Sequence, residues 1–155
     1  MSFIAASPVP EAPGQTITSA AFWPTFDTAT IREAMRLDGT VTEDRLVNAA
    51  ISAIGNVNRD LATWRKEREA EGAATLADVE AEEINEVSEL VHLYRRAVYA
   101  TTRANLIERY RDFDATADGH QAADNLEPTV ADLYRDARFA IRDILGIGHC
   151  TVELI

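Results

Sequence analysis

Between Leu90 and Ile107 six apolar residues, Leu90, Leu93, Ala97, Ala100, Ala104 and Ile107, recur at alternating spacings of three and four. That period fits an α-helix with one face turned to a core, and no other regular structure. Tyr94, Val98 and Thr101 widen the stripe, so the helix expected over residues 85–111 is buried on a broad face. Its other side carries Arg95, Arg96, Arg103, Arg109 and Arg111.

A second stripe, Leu46, Ala50, Ala53, Val57, Leu61 and Trp64, predicts one unbroken rod that runs to near Glu71 and stops at Gly72. Either Thr40 with Glu43, or Thr42 with Val41 and Leu46 as a hydrophobic staple, opens it. Gly55 inside the rod costs about 1 kcal/mol relative to alanine, which points to close packing or a slight kink there. Paired antiparallel, the two long helices form the core of an expected all-α helical bundle.

Shorter pieces surround this pair. Thr30 with Glu33 reads as a capping box that opens a helix through Leu37, with Gly39 as its left-handed stop. Residues 72–84 read as a connection in which Leu76, Val79 and Ile84 tuck inward, Asp78 caps a single turn, and Asn85 or Ser88 starts the central helix. After a breaker-rich stretch, Asp112 to Gly119, a short helix is expected through Leu126. Pro128 and Thr129 open the last helix with Asp132 as box partner, burying Val130, Leu133, Ala137, Ile141 and Ile144.

At 155 residues the chain is expected to form one domain that buries roughly 70% of its unfolded surface. Pro8, Pro10 and Pro13 among Ala and Ser predict a flexible N-terminal arm over residues 1–20. A helical domain follows over 21–146, and Gly146 and Gly148 release an extended C-terminal tail over 147–155. Phe22, Trp23 and Phe26 around Pro24 either staple the arm to the core or, if exposed, mark an interface. Cys150 has no second cysteine in the chain to bridge to, no apolar run approaches a membrane span, and the start lacks a secretory pattern. A protein of the cell interior with no membrane partner is expected.

The net charge of −11 argues against a surface built to grip nucleic acid. Its distribution is uneven. Residues 67–89 hold nine acids against Arg68 alone, and residues 90–111 hold five arginines against Glu108 alone. Either the acids are solvated and partly neutralised within the same subunit, or the molecule carries opposite charge on two flanks. The second arrangement suits head-to-tail contacts, in which Glu80, Glu82, Glu83 and Glu86 meet Arg95, Arg96 and Arg103 of a neighbour.

Catalytic and metal chemistry find little support. Asp114, Thr116, Asp118 and Gly119 fall on the first positions of a calcium loop, but Asn125 stands where a bidentate Glu belongs. His92, His120 and His149 are scattered, and Gly146 and Gly148 follow a helix rather than a strand. No catalytic residue, cofactor or metal is implied, and the chain reads as a non-enzyme.

Three segments carry a resemblance: Met35-Arg36-Leu37-Asp38-Gly39-Thr40-Val41-Thr42, Glu108-Arg109-Tyr110-Arg111-Asp112-Phe113-Asp114-Ala115-Thr116, and Thr151-Val152-Glu153-Leu154-Ile155. From Phe22 onward the chain resembles the head completion proteins of P2-like tailed bacteriophages, the gpL family. The resemblance implies a virion protein, assembled in the host bacterial cytoplasm, that attaches to the portal protein after DNA packaging. It also implies a ring, dodecameric like the portal, that continues the DNA channel without sequence-specific DNA binding and receives further connector or tail proteins. Thr151, Val152, Glu153, Leu154 and Ile155 are then expected to dock on the portal as an added strand, with Val152 and Leu154 entering pockets. The competing reading is a stand-alone helical module that binds or regulates another protein; neighbouring portal or capsid genes would discriminate against it.

Overall fold

The computed structural model describes residues 14–37, 39–110 and 128–148. The arm before Gly14, the turn and short helix expected between Asp112 and Leu126, and the segment from His149 on lie outside them. In chain order the elements are β1 (Thr16–Ile17), β2 (Phe26–Asp27), α1 (Thr28–Ala34), α2 (Glu43–Asp60), α3 (Ala62–Ala70), a 3₁₀ turn (Leu76–Asp78), β3 (Glu83–Ile84), β4 (Val87–Ser88), α4 (Glu89–Tyr110) and α5 (Val130–Ile144).

The axis is α4, with α2 and α5 packed against it. Near the start of α4 the Tyr94 hydroxyl donates to Asn58 Oδ1 at 2.6 Å, and near its end Asn105 Nδ2 donates to the Ala49 carbonyl at 3.4 Å. These two bonds set α2 antiparallel to α4. The Tyr134 hydroxyl, early in α5, reaches Glu108 Oε2 at 2.7 Å and Asn105 Oδ1 at 3.3 Å near the end of α4. With neighbours on two sides, α4 buries Ala97, Val98, Ala100, Thr101, Thr102, Ala104, Asn105 and Leu106 almost consecutively. The buried hydroxyls of Thr101 and Thr102 donate to the carbonyls of Ala97 and Val98 at 2.8 and 2.7 Å, so neither is left unpaired.

The all-α expectation is corrected by two small antiparallel sheets, β1–β2 and β3–β4. The first lies partly within the expected arm. Thr16 pairs with Asp27 and Ile17 with Phe26, Ile17 is buried, and the Thr28 amide donates to the Gln15 carbonyl at 3.0 Å. Gly14 passes so close to α1 that a Cβ there would lie 2.7 Å from Asp27 Oδ2 and 2.8 Å from the Ala29 amide. Residues 14–17 therefore pack against β2 and α1. Buried Thr28 ties them to α2, its Oγ1 accepting from the Gln15 amide at 2.7 Å and donating to Glu43.

Helix boundaries differ in instructive places. Asp27, not Thr30, caps α1, accepting from the Thr30 amide at 3.0 Å. The left-handed stop is Arg36 at φ 51° rather than Gly39; the Arg36 amide bonds Glu33 and the Leu37 amide bonds Arg32, each at 3.0 Å. The rod expected from α2 to Glu71 breaks at Leu61, whose φ −94° and ψ 3° leave the helical range. Gly55 does not cause the break. It faces solvent with nothing near its missing Cβ, so close packing does not explain it. Gly72 at φ 106° and Gly146 at φ 68° stop α3 and α5 as expected. The Thr129 and Asp132 box also forms, with Thr129 Oγ1 accepting from the Asp132 amide at 3.1 Å.

Candidate functional site

The acidic stretch that reads as a plain connection is built into a β-hairpin. Glu83 pairs with Ser88 and Ile84 with Val87, leaving Asn85 and Glu86 as a two-residue loop. Both loop residues have positive φ, 54° and 62°, the twist that matches a hairpin's strands. Asparagine tolerates that conformation and glutamate does not, so the loop is held by what surrounds it. The Glu89 amide donates to the Glu82 carbonyl at 2.8 Å, and His92 Nε2 lies 2.9 Å from the Ile84 carbonyl oxygen. Both bonds anchor the hairpin to the first turn of α4.

Ile84 was expected to tuck inward; instead it is 55% exposed at the tip of this hairpin. Leu76 is buried as expected, its amide donating to the Phe22 carbonyl at 2.8 Å. Asp78 serves its turn as partner to Thr75, accepting from that residue's amide and hydroxyl, each at 2.8 Å.

Neutralisation of the acidic stretch is local among the described residues. Glu69 pairs with Arg65 at 2.8 Å and Glu71 with Arg68 at 3.0 Å, all within or next to α3. Among the described residues no ion pair reaches Glu80, Glu82, Glu83 or Glu86, which are all exposed. On the other flank Arg96 is engaged by Asp136 of α5, and that hydrogen bond raises the pKa of its guanidinium further. Arg95 and Arg103 are half-buried on α4.

Where α2, α4 and α5 meet there is an open cleft of about 310 Å³. Val57, Ala137 and Ile141 line it with apolar surface, and Arg59, Arg138 and Asp60 contribute charge. No single segment of sequence could announce it, because three helices supply its walls.

Phe22, Trp23 and Phe26 are 1%, 4% and 3% exposed, so they serve the domain's own core. The tail Thr151 to Ile155 and the calcium-like spacing from Asp114 to Gly119 lie outside the described residues. Among the described residues no group of three or more His, Cys, Asp or Glu is placed to hold a metal ion, and no helix is long and apolar enough to cross a membrane.

This geometry defines a small, mostly helical protein whose distinctive features are surfaces. The chain belongs to the phage head completion protein (GPL) family, whose model matches residues 17–155. It is 39% identical over 148 residues to the head completion/stabilization protein of Escherichia phage P2, an alignment that covers 96% of this chain and 88% of that protein. No solved structure matches it.

Proposed function

We propose that this chain completes the phage head as an adaptor ring on the portal, added after DNA packaging, where it continues the DNA channel and joins head to tail. Family membership over residues 17–155 is the observation that carries the reading. The carboxylates of the β3–β4 hairpin, which meet no ion-pair partner among the described residues, support it, because they suit contact with arginines of a neighbouring subunit. The net charge of −11 fits a channel wall that lets packaged DNA slide, since carboxylates repel phosphates. The partners are then the portal, further copies of the chain arranged with dodecameric symmetry, and later connector or tail proteins. The place of action is the head–tail junction of the virion, and assembly occurs in the host bacterial cytoplasm.

The test uses DNA-filled heads from a phage lacking this protein. Added protein should attach to them in many copies, crosslink to the portal and restore tail joining. Tail joining that proceeds equally well without it overturns the reading.

A further inference from the structure

We propose that the Ile84 tip of the β3–β4 hairpin in one subunit seats in the cleft between α2, α4 and α5 of the next. The inference rests on the ring reading above and assigns the contact that builds the ring.

The tip has the properties of a knob. An isoleucine 55% exposed on a two-residue hairpin contributes little to its own core, while water around it is unfavourable. The surrounding backbone is already ordered by the Glu82–Glu89 and His92–Ile84 bonds, so seating it costs little further conformational entropy. Glu83 and Glu86 flank the isoleucine, and neither has an ion-pair partner among the described residues.

The cleft has the properties of a matching hole. It is an open cleft of about 310 Å³, at the lower end of the size range of small-ligand pockets, and half-buried Ile141 offers apolar contact beside the buried Val57 and Ala137. Two guanidinium groups, Arg59 and Arg138, stand against the single carboxylate of Asp60, so its charge is opposite to that of the knob. Arg138 is exposed and makes no ion pair among the described residues.

Knob and hole are distinct places on one subunit. The hairpin precedes Glu89, and Thr101 in the cleft lies twelve residues farther along α4, about 18 Å at 1.5 Å per residue. A subunit that inserts its knob in a neighbour still offers an empty cleft to a third. Separate knob and hole permit a heterologous contact, which closes into a ring where its rotation allows.

Crosslinking tests this on DNA-filled heads lacking the native protein. In a Cys150→Ser background, chains carrying Ile84→Cys and chains carrying Arg138→Cys are added together and treated with a short thiol-to-thiol crosslinker. Thermal melting first establishes that both variants fold, as exposed positions should allow. Mixed dimers are expected, the doubly substituted chain should give a ladder of oligomers, and neither single variant should link to itself. Arg138→Glu should lower attachment at least tenfold, and Glu86→Arg in the same chain should restore it. Normal attachment in many copies without mixed dimers, Ile84→Cys linking to itself, or no rescue by the charge exchange would overturn the contact and leave the ring reading standing. If unsubstituted chains fail to attach in multiple copies, the ring reading falls and the contact falls with it.

Discussion

Trp23 lies flat on Tyr94, ring centroids 4.6 Å apart and planes 4° from parallel. Phe22 meets Trp23 edge-on at 4.9 Å, and Phe26 approaches Tyr94 at 5.9 Å. The segment before α1 is thereby fastened to the first half of α4. Removing a fully packed aromatic ring leaves a cavity, so Trp23→Ala should destabilise the domain by about 3 to 5 kcal/mol. Urea denaturation checks this. An unchanged midpoint together with lost attachment to heads would return these aromatics to an interface.

The same burial makes the protein sensitive to alkali. Lost hydration pushes the Tyr94 hydroxyl well above the usual tyrosine value of 10.0, and Tyr134 is pushed up to about 12 by lost hydration and by the hydrogen bond to Glu108. A group whose pKa is higher folded than unfolded contributes its full stability below the unfolded value and loses it as pH rises. Thermal stability should therefore decline from about pH 10 upward as the unfolded tyrosines ionise. Tyr94→Phe should be less stable near neutrality, having lost the bond to Asn58, but should decline less steeply. Parallel decline in the two proteins would contradict this assignment.

Arg36 occupies the left-handed position at the end of α1, with φ 51°. A side chain there costs roughly 1 to 2 kcal/mol that glycine does not incur. Arg36→Gly should raise stability by about 1 kcal/mol, a gain readable as a higher melting temperature. A loss of similar size would mean that the arginine makes a stabilising contact.

Long apolar periods were legible because each position reports on the same buried face. The stripes of α2, α4 and α5, the Thr129 and Asp132 box and the glycine stops after α3 and α5 all appear where their residues place them. The two-residue strands were not legible, since so short a strand has no period to detect. Asn85-Glu86 lacks the glycine that usually announces a tight hairpin, and Arg36 takes a role normally left to glycine. Leu61 continues the apolar stripe of α2, so nothing in the pattern warned of the break there. The candidate site suffered most. Ile84 looked like a residue for the core because its exposure follows from that hairpin, and the cleft near Arg138 exists only once three helices meet.

Removal of residues 151–155 tests the proposed docking tail. The shortened chain should melt at nearly the same temperature and fail to attach to DNA-filled heads. A tail folded over the subunit's own core would instead lower the melting temperature, because burying two aliphatic side chains contributes about 3 to 6 kcal/mol before ordering costs.

The most direct measurement is electron cryomicroscopy of DNA-filled heads, made without this protein and imaged before and after it is added. A closed ring of added density at the portal vertex is predicted, with the β3–β4 hairpin of each subunit against the α2, α4 and α5 cleft of the next. Added density spread over the capsid faces, or none at the vertex, would contradict the account.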